Sequence, residues 1–130
     1  TTAALRPEVR VAAAGAPFLC GFMDSIALTS TYPYQEISDY LRMYPERRAA
    51  VERTLAYFDG INFAPKVKCP IMVHFGLQDN VCPAETAYAV FEALGSEDKH
   101  IYPYDGHGHD AGGIYHRPIL NDFLKQHLHP

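Results

Sequence analysis

The sequence predicts an α/β fold: parallel strands alternating with helices, as in the back half of a doubly wound sheet. Three observations predict it. Two short runs, Ile71-Met72-Val73-His74-Phe75-Gly76 and His100-Ile101-Tyr102-Pro103-Tyr104, have the length and the β-branched and aromatic content of strands. A helical pattern separates them, which is the mark of a parallel pair joined by a crossover. A glycine- and histidine-rich loop and one more helical pattern then close the chain.

Taken in order, residues 1–5 read as the end of a helix, closed by Arg6-Pro7. Residues 9–14 read as a short buried strand. Alanine favours a helix there, but the window between Pro7 and Gly15 is too short for one. From Pro17 to about Asn62 the chain turns aromatic and polar and has no strand-like run. Within that stretch 36–43 and 45–57 read as helices. Pro45 suits a first helical turn, and Val51, Leu55 and Phe58 recur at helical spacing. A helical excursion between two strands predicts a cap over the sheet. Residues 71–76 follow Pro70 as a buried parallel strand. Pro83 opens a helix that runs to about Leu94, with Gly95 as its stop. Pro103 places the strand 100–104 near a sheet edge or puts the proline near a strand end. Residues 105–113 form the loop, and 114–128 form the closing helix with Ile119, Phe123 and Leu124 on one face. The expectation is one partial domain over 1–130, with 17–62 as the cap and 63–130 as the C-terminal strands and helices.

Composition excludes several classes. Apolar residues make up 48% and charged residues 20%, enough for a core and unlike a disordered chain. The net charge is −4 with no basic run, so no nucleic-acid partner is expected. The longest apolar run, 9–19, is too short and too interrupted to span a bilayer, so no membrane partner is expected either. Three cysteines form no Cys-x-x-Cys motif, and their odd number argues for free thiols and a cytoplasmic location. The first residue is Thr1, with nothing like a signal peptide behind it. The expectation is a chain that starts inside a larger protein or was processed.

Two loops leave the carboxyl ends of predicted strands, where ligands of doubly wound sheets bind. The first is Gly76-Leu77-Gln78-Asp79-Asn80-Val81-Cys82-Pro83. An aspartate just past a buried strand, followed by an apolar residue and a helix-opening proline, is where an α/β-hydrolase places its triad acid. That chemistry needs a fixed carboxylate to hold a histidine in one tautomer. The competing reading is that Asp79 only shapes a turn. The second loop is Tyr104-Asp105-Gly106-His107-Gly108-His109-Asp110. A histidine after the next strand fits the triad base, and the chain order of acid then histidine is that of this fold. His107 comes soonest after the strand between two glycines; His109 is the alternative. A zinc reading starts from His107-x-His109 with Asp110, part of a His-x-His-x-Asp-His signature. Here the motif is broken, and no metal or cofactor is expected.

The nucleophile is missing. None of Ser25, Ser30, Ser38 and Ser96 sits in Gly-x-Ser-x-Gly, and no cysteine sits in an equivalent turn. The expected address of the serine is a few residues before Thr1, on the missing N-terminal half of the same domain. Tyr32, Tyr34, Tyr40, Tyr44 and Tyr57 read first as packing residues; an aromatic wall for a ring-shaped substrate is the other reading. His74, His100, His116, His127 and His129 join no constellation and read as structural or surface residues.

With these residues in view, the sequence resembles the acetyl xylan esterase and cephalosporin C deacetylase family of carbohydrate esterases, within the α/β-hydrolase superfamily. The matches are Pro17-Phe18-Leu19-Cys20, Tyr32-Pro33-Tyr34-Gln35-Glu36-Ile37, Thr54-Leu55-Ala56-Tyr57-Phe58-Asp59-Gly60-Ile61-Asn62-Phe63-Ala64, Gly76 through Pro83, and Ile101-Tyr102-Pro103-Tyr104. The resemblance covers nearly the whole chain and the later half of a family member. It implies a cytoplasmic serine esterase that deacetylates small esters, such as acetylated xylo-oligosaccharides or cephalosporin C, without metal or cofactor. It also implies a homo-oligomer, commonly a hexamer. By position Asp79 matches the family's triad aspartate. Counted without a gap from Ile101-Tyr102-Pro103-Tyr104, His107 matches its triad histidine; a gap shifts the match to His109. Two further readings are a non-catalytic half-domain acting as an interaction partner, and another α/β-hydrolase such as a peptidase or lactone hydrolase.

Overall fold

The computed structural model describes residues 1–128. Three parallel strands, β1 (Ala12–Gly15), β2 (Ile71–Gly76) and β3 (Lys99–Tyr104), form one sheet in the order β1-β2-β3. The helices are α1 (Thr2–Leu5), α2 (Phe22–Leu28), α3 (Tyr34–Met43), α4 (Arg48–Ala56), α5 (Ala84–Ala93) and α6 (Gly113–Leu128). Short 3-10 turns at Pro45–Arg47, Gly60–Asn62 and Ala64–Lys66 join them. Among the described residues no helix is long and apolar enough to cross a membrane.

Strand β2 is the centre of the core because its side chains alternate between two covered faces. Ile71, Val73 and Phe75 point to one face, against Ala64, Val67 and the α5 side chain of Ala87, with Leu94 just beyond that helix. Phe75 is fully buried and meets the ring of Tyr88 on α5 edge-on at 4.9 Å. Met72 and His74 point to the opposite face, where α6 lies. The His116 ring of α6 stacks on His74 with centroids 3.7 Å apart. One crossover helix therefore covers one face and the closing helix covers the other, which is the doubly wound arrangement.

Strand β1 starts later than residues 9–14 predict. Its register is imposed by β2: Ala12 pairs with Ile71, and the Ala12 N–H donates to the Pro70 carbonyl at 2.9 Å. With β2 beginning at Ile71 there is nothing upstream to pair with, and Val9 instead turns back onto the Arg6 carbonyl. Strand β3 lies at the edge among the described residues, and Pro103 stands opposite Phe75 as its penultimate residue. A proline is tolerated there because no partner strand needs its missing N–H.

The segment between β1 and β2 is helical, as expected, with one addition. Helix α2 has no local sequence signal. Its N-terminus is capped by Asp59, which is distant in sequence: Oδ1 accepts from Gly21 N at 2.8 Å and Oδ2 from Phe22 N at 2.9 Å. Oδ1 also accepts from Ile61 N at 3.1 Å. Glycine at 60 lets this turn close on Cys20, since a Cβ there would lie 2.5 Å from Cys20 Sγ and 3.3 Å from the Leu19 carbonyl oxygen. The Tyr57-Phe58-Asp59-Gly60-Ile61-Asn62-Phe63-Ala64 segment thus serves the fold, tying α2 to the sheet. In α6 the inward residues are His116, Leu120, Phe123 and Leu124; Ile119, expected on that face, lies on the exposed side. His129 lies outside the described residues.

Candidate active site

Asp79 sits in the turn after β2 with its side chain fully shielded from solvent. Its two oxygens have different tasks. Oδ1 accepts from the backbone N–H groups of Val81 at 2.8 Å and Cys82 at 2.9 Å, which closes the turn into α5. Oδ2 accepts from His109 Nδ1 at 3.0 Å. The turn-shaping reading and the catalytic reading of Asp79 therefore hold together, on different atoms. Two backbone donors fix the orientation of the carboxylate.

The loop after β3 is locked to the loop after β2. Leu77 N donates to the Tyr104 carbonyl at 2.9 Å, and Gln78 N to the His107 carbonyl at 2.9 Å. The Gln78 side chain bridges further, donating to Asp105 at 2.9 Å and accepting from Gly106 N at 2.7 Å. Gly76 lets the strands meet here: a Cβ would collide with the carbonyl oxygens of His107 and Gly108. The backbone of His107 is thus the latch between the loops, and its side chain turns away from Asp79. Its Nδ1 lies 2.6 Å from Asp110 Oδ2, and its ring meets Tyr104 and Tyr115 edge-on. That hydrogen bond is the main reason the Asp110 carboxyl is held below the usual carboxylate range.

The structure therefore brings Asp79 together with His109, whereas the ungapped count points to His107. The reason is geometric. The chain spends the first glycine-flanked positions passing over Gly76, and only His109 emerges where its ring can face the Asp79 carboxylate. With Nδ1–H donated to Asp79, the free lone pair of His109 is on Nε2. The His109 side chain is 56% exposed, against none for Asp79, so the acid is dry and the imidazole is accessible.

An open cleft of about 490 Å³ lies beside His109 at the carboxyl ends of β1 and β2, lined by Gly15, Ala16, Phe18, Tyr32, Val81 and His109 among others. Its lining contains no serine or cysteine. Ser25 is fully buried and hydrogen-bonded to the Cys20 carbonyl, and Ser96 is buried and bonded to that of Asp98. Of the tyrosines, Tyr32 reaches the cleft. Tyr34 is core, accepting from Leu19 N at 3.1 Å, and Tyr40 and Tyr44 pack with Arg47. Thr29 and Thr31 hydroxyls donate to the Asn80 carbonyl and fasten the helical insertion to the acid turn.

The histidines and aspartate of the broken zinc signature do not converge, since His107 and His109 turn to different carboxylates. Among the described residues, potential ligand atoms of Asp79, Cys82 and His109 do lie within 4.8 Å of one another. Burial and the Asp79 charge push the Cys82 thiol up to about 11, so it stays protonated. In this arrangement the Asp79 oxygens are taken by the N–H groups of Val81 and Cys82 and by His109 Nδ1.

A parallel sheet with a dry aspartate and an exposed histidine on successive carboxyl-end loops, in that chain order, is the arrangement of the later part of an α/β-hydrolase fold. The chain belongs to the acetyl xylan esterase family: the family model described as Acetyl xylan esterase (AXE1) matches residues 1–127. It is 33% identical over 96 residues to the acetyl esterase Axe7A of Xylanibacter ruminicola, covering 72% of this chain and 20% of that protein. Among solved structures, it is similar to an acetyl xylan esterase from a Paenibacillus species, with TM-score 0.87 and 34% identity over 96% of this chain and 40% of that one. Acetyl xylan esterase 1 from a Thermoanaerobacterium species gives TM-score 0.81 and 31% identity over 95% of this chain and 40% of that one. The chain thus spans about a fifth of the curated relative and two fifths of the solved ones.

Proposed function

We propose that these residues supply the acid and base of a serine esterase that removes acetyl groups from small esters, with Asp79 as the acid and His109 as the base. The observation that carries the reading is the 3.0 Å contact of the shielded Asp79 carboxylate with Nδ1 of a solvent-accessible imidazole. His109 Nε2 takes the proton of an attacking serine hydroxyl and returns it to the leaving alkoxide. It then activates the water that clears the acetyl-enzyme. Asp79 holds the reactive tautomer and stabilises the imidazolium. The serine and the oxyanion donors come from a segment outside these 130 residues; the absence of any serine from the cleft lining supports that.

Acetylated xylo-oligosaccharides are the favoured substrates, because the two similar structures named above carry acetyl xylan esterase in their names and the aromatic rings of Phe18 and Tyr32 flank the cleft. Cephalosporin C, also an acetate ester, belongs to the same chemical class. The test is acetate release from acetylated xylo-oligosaccharides, cephalosporin C and p-nitrophenyl acetate by the full-length protein carrying these residues. Turnover by wild type and none by His109→Ala is expected; equal turnover by both would remove the assignment.

A further inference from the structure

We propose that His74 is a positioning residue for His109, acting through the backbone of the loop that carries the base; the inference rests on the assignment of His109. His74 is the one residue of β2 that is not fully buried, and it lines the cleft. Its Nδ1 lies 2.8 Å from the Ala111 carbonyl, two residues past His109. A carbonyl only accepts, so Nδ1 carries the proton.

The loop needs that clamp. Ala111, Gly112 and Gly113 follow one another with φ of 51°, 91° and 48°. The two glycines adopt this left-handed backbone freely, whereas Ala111 is strained in it. On its other side the loop is held by Gln78 N on the His107 carbonyl. His109 therefore hangs between two carbonyl clamps, one from each loop-facing element, and His74 is the second. The His74 ring is itself fixed from both sides. A Cβ on Gly15 would lie 2.6 Å from its Cε1, so glycine at the end of β1 makes room for it. On the other side it stacks on His116, which is anchored by Tyr104 Oη at 2.8 Å and Met72 Sδ at 3.1 Å.

Two substitutions separate positioning from packing. His74→Asn keeps a donor near the Nδ1 position and loses the ring; His74→Phe keeps a ring for stacking and loses the donor. In the full-length protein, His74→Phe is expected to lower kcat on p-nitrophenyl acetate by about 10- to 100-fold, the scale of a misplaced catalytic group. KM stays within about twofold, and His74→Asn stays near wild type. A loosened His109–Asp79 contact stabilises the imidazolium less, so the acid limb of kcat/KM moves to lower pH in His74→Phe. A His74→Phe enzyme with wild-type kcat and pH profile, or a His74→Asn enzyme as impaired as His74→Phe, overturns the proposal. Asp79→Asn and His109→Ala are measured in parallel. If they too retain activity, the base assignment fails first; if they are inactive, the failure belongs to His74 alone. Should His74→Phe not fold, ¹⁵N NMR of the wild-type imidazoles decides: a proton on His74 Nδ1 supports the clamp and a proton on Nε2 alone refutes it.

Discussion

Asp79→Asn is a sharp perturbation because the two oxygens it alters do different jobs. The substituted amide can lie in two ways. With its NH₂ toward Val81 N and Cys82 N it would face two donors with a donor, leaving buried groups unpaired at about 1–3 kcal/mol each. It therefore keeps its oxygen on those two N–H groups and turns the NH₂ toward His109 Nδ1. Nδ1 must then accept, and the ring proton moves to Nε2, the atom proposed above to take the serine proton. The fold is nearly unchanged, with a stability loss of roughly 1–2 kcal/mol as two charge-assisted bonds become neutral ones. Activity falls by about four orders of magnitude, as triads with the wrong tautomer do, equivalent to about 5.4 kcal/mol of transition-state stabilisation. The assay is steady-state hydrolysis of p-nitrophenyl acetate by the full-length protein beside a urea denaturation curve. A folded Asp79→Asn enzyme within tenfold of wild type refutes the reasoning.

Two further outcomes follow from the same network and its surroundings. His116 titrates near 4 in the fold against 6.5 in an ordinary setting, because of burial and the neighbouring His74. Between those values the unfolded chain binds the extra proton. This contribution is complete above about pH 6.5 and is lost as pH falls toward 4, by up to about 3 kcal/mol. His116→Gln should flatten that part of a urea-midpoint series from pH 7 to 4, and a parallel decline in variant and wild type would contradict it. Asp59→Ala strips three backbone N–H partners at 2.8, 2.9 and 3.1 Å from a buried cap. A loss of about 2–4 kcal/mol is expected by chemical denaturation, and a loss under about 1 kcal/mol would show that α2 does not depend on this cap.

What was legible in the sequence is what local physics decides. Strand β2 starts and ends where its apolar run does, because every side chain in it has a covered face to enter. The acid turn was legible for a similar reason: Asp79 bonds its own neighbours Val81 and Cys82, so its chemistry is written within four residues. Helix α2 was not legible because its cap, Asp59, arrives from far along the chain. The choice between His107 and His109 depended on a loop-to-loop contact across Gly76, which spacing alone does not reveal. For His116 the sequence leaves a structural and a surface reading open, and burial in the fold selects the structural one. Only the fold supplies the Met72 sulfur, the Tyr104 hydroxyl and the His74 ring that allow a neutral imidazole to be buried.

The central claim is that His109, held by Asp79, is the base. The direct measurement is kcat/KM on p-nitrophenyl acetate for His109→Ala and His107→Ala in the full-length protein, each with its folded state verified. The geometry predicts a loss of about 10³-fold or more for His109→Ala. For His107→Ala it predicts less than about tenfold, since that side chain braces the loop through Asp110 and the rings of Tyr104 and Tyr115 and does not face Asp79. The reverse order, with His107→Ala inactive and His109→Ala near wild type, would contradict the account.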